Sequence, residues 1–277
     1  MKIEFTKMQA AGNDYIYLDE LSSPLGIDIP ALAKKLCPRR FAVGADGIVC
    51  IERSSSADAK MKMYNADGSV GAMCGNALRC IGKYLYDRKI IQRREILIET
   101  DSGIKKVKIE EDGSVRAWMG RAVFDGSKIP LLSDACLIDS SVEIGARTLR
   151  LTALSVGNPH AVAFEDDGIA LCEIASLGAQ VEKCPLFPDR TNFEIVRICP
   201  DKRLEMRVFE RGSGVTSACG TGACAAVAAA VVTGRASPEC EYTVAMDGGE
   251  VMVGCGRDLM LTLCGPIEEV YRGEVEL

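Results

Sequence analysis

Two cysteines at matching places in the sequence could act as a proton donor and a proton acceptor. Cys74 lies in the segment MCGNALRCIGKYLY (73–86), and Cys219 lies in ACGTGACAAVAAAVVT (218–233). Each is followed by Gly, a polar residue and a stretch long enough for a helix. The helix dipole favours a thiolate at this place and should bring the thiol pKa toward neutrality. One ionised and one protonated cysteine could then serve as general base and general acid on the two faces of one carbon.

The backbone beside these cysteines offers sites for a substrate carboxylate. The amides that follow the cysteines precede the first intrahelical hydrogen bond, and they predict two anion sites, at Gly75 and Asn76 and at Gly220 and Thr221. A carboxylate held there would be polarised while negative charge builds on its α-carbon. Because this chemistry needs neither a cofactor nor a metal ion, we expect none.

Further polar residues could bind a second charged end of the substrate. Glu210 and Arg211 would offer one partner for an ammonium group and one for a carboxylate. Neutral donors and acceptors come from four asparagines, Asn13, Asn65, Asn158 and Asn192. These residues predict that the ligand is a small amino acid.

Simpler interpretations apply to many of these residues. A buried cysteine is usually an inert small hydrophobe, which is our interpretation of eleven of the thirteen. Asn next to Gly often only forms a turn, and Glu210 with Arg211 could be a surface ion pair. The sequence contains no C-x-x-C, which argues against a zinc ribbon or a thioredoxin-like site. It also contains neither a Walker A lysine pattern nor G-x-G-x-x-G, so a nucleotide site is disfavoured.

An internal duplication relates the two cysteines. Cys219 follows Cys74 by 145 residues, and the same offset relates MRVFE (206–210) to MKMYN (61–65) and GN at 157–158 to GN at 12–13. Three matches at one spacing indicate two similar halves. We therefore expect two domains, residues 1–120 with a returning C-terminal strand at 265–277, and residues 121–264. The site would lie in the cleft between them.

Local patterns predict the elements that hold the two cysteines. Strand alternation begins at 2–8 and 15–18, and residues 28–36 read as a helix with Asp28 as its N-cap. The helix predicted at 222–233 is apolar on all sides and should lie in a core, whereas the helix after Cys74 is amphipathic. A short helix is expected near 169–177. Strands joined by turns such as Asp112-Gly113 make the expected class α+β.

Composition excludes several classes of protein. The 277 residues are 48% hydrophobic and 26% charged, with a net charge of -6, so we expect no nucleic acid partner. The N-terminal residues MKIEFTKMQAAGND lack the apolar core of a signal peptide, and the longest apolar run, 223–232, is shorter than the roughly 20 residues that span a bilayer. We expect a cytoplasmic protein that does not bind membranes and keeps its cysteines as thiols.

The motifs together resemble one enzyme family. They are MQAAGNDYIYLD (8–19), GADG (44–47), YNADGS (64–69), MCGNALRC (73–80), GNPHAV (157–162), RTNFE (190–194) and ERGSGVTSACGTGA (210–223). In this order, and over nearly the whole chain, they are similar to diaminopimelate epimerase.

That resemblance implies an isomerase that interconverts LL- and meso-diaminopimelate in lysine and cell-wall synthesis without a cofactor. It implies that Cys74 and Cys219 are the acid-base pair and that the Asn positions, Glu210 and Arg211 bind substrate. It also implies two alike halves, each with a curved sheet wrapped around a central helix, and a homodimer.

Some positions depart from the family pattern. Gln9-Ala10-Ala11 replaces a usual His-Gly-Leu, Ala72 replaces a frequent acid, Gly47 replaces a Gln that some members have, and Val215 replaces a usual Glu. Val215 lies in the turn before Cys219, which leaves a racemase of another amino acid as one alternative. A second alternative, of another class, is a cysteine-rich binding or redox protein without turnover.

Overall fold

The structure, a computed structural model, describes residues 2–71, 73–133 and 136–276. Within these residues the chain forms 18 β-strands and four α-helices, and the strands build a large, mostly antiparallel sheet. The α+β class expected from the sequence is confirmed. The chain divides into two compact units, Met1–Trp118 with Cys264–Leu277 as unit 1, and Met119–Leu263 as unit 2.

The elements follow one another in this order through the first part of the chain: β1 (Lys2–Ala10), β2 (Asn13–Glu20), α1 (Ile29–Leu36), β3 (Gly47–Glu52), β4 (Ala59–Asn65), β5 (Val70–Gly71), α2 (Gly75–Asp87), β6 (Glu95–Thr100), β7 (Gly103–Ile109) and β8 (Val115–Arg121). The remaining elements are β9 (Ser140–Ile144), β10 (Arg147–Ser155), β11 (Pro159–Phe164), α3 (Ile174–Val181), β12 (Asn192–Cys199), β13 (Arg203–Glu210), β14 (Gly214–Thr216), α4 (Gly220–Val232), β15 (Cys240–Met246), β16 (Gly249–Cys255), β17 (Met260–Gly265) and β18 (Glu268–Glu276).

The two units pair their strands in the same way. In unit 1 the order is β18, β1, β2, β3, β4, β6, β7 and β8, antiparallel except for β2 with β3 and β4 with β6. In unit 2 the order is β9, β10, β11, β12, β13, β15 and β16, antiparallel except for β11 with β12 and β13 with β15. The short strands β5 and β14 pair with β4 and β13.

Elements of unit 2 recur at the spacing found in the sequence. Both α3 and α4 begin and end 145 residues after α1 and α2, and β10 begins and ends 145 residues after β1. The offset therefore extends from the cysteine motifs to the bounds of whole elements.

The helices that follow the cysteines differ in their surroundings. Every residue of α4 from Gly220 to Ala230 is buried, and the helix packs against β10, β11, β12, β13 and β16. In α2 the side chains of Lys83 and Tyr86 are only half-buried and Asp87 is exposed, while the opposite side packs against β1, β2, β6 and β7. The predicted contrast between a fully apolar and an amphipathic helix is confirmed.

The shorter helices show how local chemistry sets a helix start. Asp28 caps α1 by accepting a hydrogen bond from the Ala31 amide (3.0 Å), and Pro30 stands in the first turn, as predicted. The helix expected near 169–177 starts later, because a 3-10 turn at Leu171–Glu173 precedes it. There the Glu173 carboxylate accepts the Ala170 amide (2.8 Å), so α3 begins at Ile174. In the described part of the chain no helix has the length and apolarity needed to cross a membrane.

Candidate active site

The first cysteine lies at the N-cap of α2, in unit 1. Cys74 has an extended backbone (φ -126°, ψ 119°), and its carbonyl accepts the first helical hydrogen bond, from the Leu78 amide. The thiol is half-buried and donates to Asn13 Oδ1 (3.2 Å), which also accepts from Asn76 Nδ2 (3.3 Å). The structure thus brings together three of the predicted site residues of this unit.

Asn13 is held from behind by a charged network. Its Nδ2 donates to Asp46 Oδ2 (2.8 Å), and Arg39 Nη2 donates to the other oxygen of Asp46 (2.9 Å). Arg39 and the buried Lys7 also pair with Asp14 at 2.5 and 2.7 Å. These cations hold the pKa of Asp14 below its usual range although burial opposes them. The network joins the loop between α1 and β3, which carries Arg39 and Asp46, to β1 and β2.

The phenol of Tyr15 completes the polar surroundings of Cys74. Burial, followed by the charge of an ionised Cys74, raises the pKa of Tyr15 well above its usual value. Tyr15 is therefore a neutral hydroxyl at physiological pH. It can share hydrogen bonds with Asn13 and Cys74 without adding a charge.

The second cysteine lies at the N-cap of α4, in unit 2. Cys219 is buried and extended (φ -136°, ψ 113°), and its sulfur accepts a hydrogen bond from the Gly222 amide (3.3 Å). The Thr221 hydroxyl lies 3.4 Å from the same sulfur. Both contacts favour a thiolate.

Burial decides the ionisation of Cys219 at rest. Burial first, and then the charges of Glu210 and Glu194, raise the pKa of this thiol well above its usual value, against the Thr221 and Gly222 hydrogen bonds. The expectation that the helix start would bring the pKa toward neutrality is therefore wrong for Cys219. Removal from water and two nearby carboxylates outweigh the helix dipole.

Glu210 lies beside this thiol at the end of β13. Its Oε1 accepts from the Thr216 hydroxyl (2.5 Å), and its carboxylate also shares a hydrogen bond with Cys219. Burial raises the pKa of Glu210 above its usual value, and the Thr216 and Cys219 hydrogen bonds only partly offset this. A carboxylate of raised pKa in contact with a thiol is a suitable acceptor for its proton.

A polar chain continues behind Cys219, and two of its members, His160 and Glu194, are fully buried. His160 Nδ1 lies 2.7 Å from Glu194 Oε1, and its Nε2 lies 3.0 Å from Asn158 Oδ1. Asn158 Nδ2 in turn donates to the Thr221 hydroxyl (3.2 Å). A Cβ on Gly222 would lie 2.8 Å from Glu194 Oε1, so only glycine fits between this carboxylate and the thiol.

The remaining predicted residues lie farther from the sulfurs. Asn192 is buried, donates to the Pro159 carbonyl (2.7 Å) and accepts from the Arg211 amide (3.0 Å). The Arg211 guanidinium is exposed and donates to the Asp189 carbonyl (3.2 Å). Asn65 is exposed and donates to the Ser69 hydroxyl (2.9 Å). The exposed Arg211 and Asn65 side chains leave groups available to a ligand, whereas both ends of the buried Asn192 amide bond to the protein.

Sequence reasoning missed Asp46, Glu194 and Thr216. Glu194 stands between Phe193 and Ile195 in the buried first five residues of β12, and an acid in such a run is a signal of a buried polar site. Asp46 had no such signal, because acids next to glycine are common in turns.

The atypical positions lie at the edges of these networks. Gln9 donates to Glu268 (3.0 Å) and accepts the Gly12 amide (2.9 Å), so it helps to shape the turn before Asn13. Val215 is 47% exposed on β14, opposite Phe209. Ala72 lies outside the described residues. Among those that the structure describes, no three His, Cys, Asp or Glu residues form a group that could hold a metal ion.

Comparison with known proteins identifies the family. The family model of diaminopimelate epimerase matches residues 5–124 and 152–273. The diaminopimelate epimerase of Phocaeicola vulgatus is 42% identical over 280 residues, which cover 99% of either chain.

Solved structures share the fold at low identity. A hydroxyproline epimerase from Agrobacterium vitis with bound trans-4-hydroxy-L-proline has a TM-score of 0.72 at 15% identity, over 99% of this chain and 92% of that one. A Bacillus anthracis phenazine biosynthesis protein of the PhzF family has a TM-score of 0.69 at 17% identity, over 100% of both. These two structures share only the fold with this chain, whereas the sequence matches carry the family assignment. This chain belongs to the diaminopimelate epimerase family.

Proposed function

We propose that the protein interconverts LL- and meso-diaminopimelate by moving the α-proton between two thiols, without a cofactor. One observation carries the proposal. In a chain of this family, Cys74 and Cys219 each cap a 13-residue helix, and the two helices recur at one offset. The mechanism requires that both sulfurs reach one α-carbon, from opposite faces.

Cys219 is suited to be a base that forms only when it is needed. As a thiol it can pass its proton to Glu210, and the resulting thiolate is stabilised by the Gly222 amide (3.3 Å). Cys74, whose proton points at Asn13, is suited to be the acid on the other face. The two roles exchange when the reaction runs in reverse, because the same proton path is used in both directions.

Substrate binding would use the residues around each thiol. The amides of Gly75, Asn76, Gly220 and Thr221 would stabilise the α-carboxylate while charge develops on the carbon. We propose that Asn13, Asn65, Asn158, Asn192, Glu210 and Arg211 complete the site and that those remote from the thiols bind the distal amino-acid end. Binding energy at that end would align the reacting carbon.

The proposal extends to the form of the protein in the cell. The recurrence of element bounds supports two duplicated halves, each with a sheet around its helix. No disulfide joins any of the thirteen cysteines, all of which the structure describes, and this fits a reducing cytoplasm. Val270 and Tyr271 on β18 are 50% and 43% exposed, which supports a homodimer as the functional form.

Substrate competition tests the proposal. We would measure kcat/KM for LL-diaminopimelate, lysine and alanine, with the wild type and with Arg211→Lys. Diaminopimelate should be the preferred substrate, and Arg211→Lys should lower its kcat/KM because a planar donor pair becomes a point charge. If a monocarboxylate amino acid had the same kcat/KM as diaminopimelate, or if Arg211→Lys left the kcat/KM for diaminopimelate unchanged, the protein would be a racemase of another amino acid. A stoichiometric metal with no turnover would indicate the binding protein.

A further inference from the structure

We propose that Asp46 is a positioning residue that fixes the side-chain amide of Asn13, so that its oxygen faces Cys74 and keeps this thiol a proton donor. The inference deepens the proposed function and rests on it. Asp46 lies in the loop before β3, and its carboxylate accepts hydrogen bonds from the Asn13 side chain, the Asp14 amide and Arg39.

The side-chain amide of Asn13 can be oriented in two ways, with its oxygen or its NH₂ group toward Cys74. Asn13 presents one end to Asp46 and the other to Cys74. An ionised carboxylate only accepts hydrogen bonds, so the NH₂ group must face Asp46 (2.8 Å). The oxygen is thereby turned toward the sulfur, where it accepts from the Cys74 thiol (3.2 Å) and from Asn76 Nδ2 (3.3 Å).

Hydrogen bonds to both oxygens fix the orientation of the Asp46 carboxylate. One of its oxygens accepts from Arg39 (2.9 Å), and the other accepts from the Asp14 amide (3.1 Å) as well as from Asn13. Three donors on two oxygens fix the plane of the carboxylate. A turned Asn13 would place its oxygen against a carboxylate oxygen, which is repulsive.

The orientation of Asn13 affects the protonation state of the Cys74 thiol. A carbonyl oxygen stabilises the S–H form and has nothing to offer a thiolate, so an Asn13 that cannot turn stabilises the acid. Ionisable groups near Cys74 include Tyr15 and Tyr17 on β2 and Cys80 on α2. The buried Arg79 donates to Asn76 Oδ1 (2.8 Å), and Asn76 in turn donates to Asn13. Burial, ahead of every other cause, raises the pKa of Tyr15, Tyr17 and Cys80, so these three are neutral near pH 7. Asp46 therefore decides which end of the Asn13 amide meets the sulfur.

The test measures how fast iodoacetamide alkylates Cys74 as a function of pH, by mass spectrometry of digested protein. In Asp46→Asn and Asp46→Ala the amide of Asn13 can turn and donate to a thiolate. The pH midpoint for Cys74 should fall by roughly one unit, the size expected when a hydrogen bond to the neutral form is exchanged for one to the charged form. The midpoint of Cys219 in the same digest should not move.

Two further variants separate orientation from charge and from folding. Asp46→Glu keeps an acceptor for Asn13 and should restore a midpoint near that of the wild type. Asp14→Asn removes one negative charge from the same Arg39 network but leaves the Asn13 contact, and the Cys74 midpoint should stay in place. Thermal unfolding of each variant establishes that it is folded at the assay temperature.

The outcomes are distinct. An unchanged midpoint in folded Asp46→Asn and Asp46→Ala would overturn the proposal, and so would an equal fall in Asp14→Asn, which would indicate a simple charge effect. The readout is thiol reactivity and not turnover. It can therefore support the role of Asp46 even if diaminopimelate proves not to be the substrate.

Discussion

The surroundings of Cys74 and Cys219 differ although the backbone that presents them recurs. Both cysteines precede a 13-residue helix, and each has an asparagine at the same offset, Asn13 and Asn158. Other positions 145 residues apart do not agree, and at three of them unit 2 has a histidine or an acid where unit 1 has neither: His160 in place of Tyr15, Glu194 in place of Val49, and Glu210 in place of Asn65. The first thiol donates to a neutral amide oxygen, whereas two carboxylates lie near the second.

In the proposed mechanism, two alike helix starts therefore present two unlike proton carriers. The half-buried Cys74 donates to a neutral oxygen, whereas the buried Cys219 accepts a backbone amide and lies among carboxylates. The residue at the third position of each helix also differs between the two units. Gly222 leaves room for Glu194, while the equivalent residue in unit 1 is Ala77, because Val49 needs no such space.

The largest effect should come from removing either sulfur. Cys74→Ala and Cys219→Ala should each lower kcat/KM by at least roughly a thousandfold, because each face of the carbon needs its own proton carrier. Cys264→Ala, a buried cysteine outside the proposed site, is the matched control and should retain activity. Near-normal turnover by either single-thiol variant would contradict distinct roles for the two cysteines, since one thiol would then suffice.

Removing the carboxylate beside Cys219 should have the next largest effect. Glu210→Gln should lower kcat/KM by about a hundredfold or more, because the thiol loses its proton acceptor. Glu205→Gln on the same strand loses only a surface ion pair with Arg197 (2.8 Å) and should retain activity. If both variants had equal activity, Glu210 would be a structural residue.

The same variant should also change the pH dependence of stability. Burial raises the pKa of Glu210 above its usual value, so the folded state binds its proton more tightly than the unfolded state. The associated stability is fully present below the unfolded pKa and is lost as pH rises through the folded pKa. The melting temperature of Glu210→Gln minus that of the wild type should therefore be more positive at pH 8 than at pH 5. A difference that is the same at both pH values would contradict the raised pKa.

A methyl group at Gly222 should have a smaller effect. Gly222→Ala would place Cβ 2.8 Å from Glu194 Oε1, so the carboxylate in the polar chain behind Cys219 must shift. We expect a loss in kcat of roughly tenfold to a hundredfold, since catalytic groups tolerate little misplacement. Ala77→Gly, at the equivalent position, should mainly lower the melting temperature. Equal kinetic losses in both variants would show that the two helix starts are alike.

The smallest effect is expected at the exposed strand residue that departs from the family. Val215 is 47% exposed on β14, so Val215→Glu should change kcat/KM for diaminopimelate by only a few-fold. Val70→Glu, at the equivalent place on β5, is the matched control, with 68% exposure. A large change of substrate preference in Val215→Glu alone would make this residue a determinant of specificity.

Much of the fold could be predicted because its signals are local or repeated. The two cysteine motifs, the Asp28 cap and the apolar residues of α4 determine structure through neighbours in the sequence. The ionisation of Cys219 could not be predicted in this way. It depends on Glu210 and Glu194, which β12 and β13 bring to the helix start from outside its motif. The Asp46 to Asn13 hydrogen bond likewise joins residues 33 positions apart.

The most direct measurement of the two-thiol mechanism is epimerisation of LL-diaminopimelate in deuterated water at low conversion. If Cys74 and Cys219 serve opposite faces, the new meso product should carry deuterium at the inverted carbon, while the recovered LL substrate should keep its protium. The thiol that removes the proton is not the one that supplies its replacement. A meso product that retains the substrate's own protium would contradict the mechanism, because a single group would then have carried the proton across.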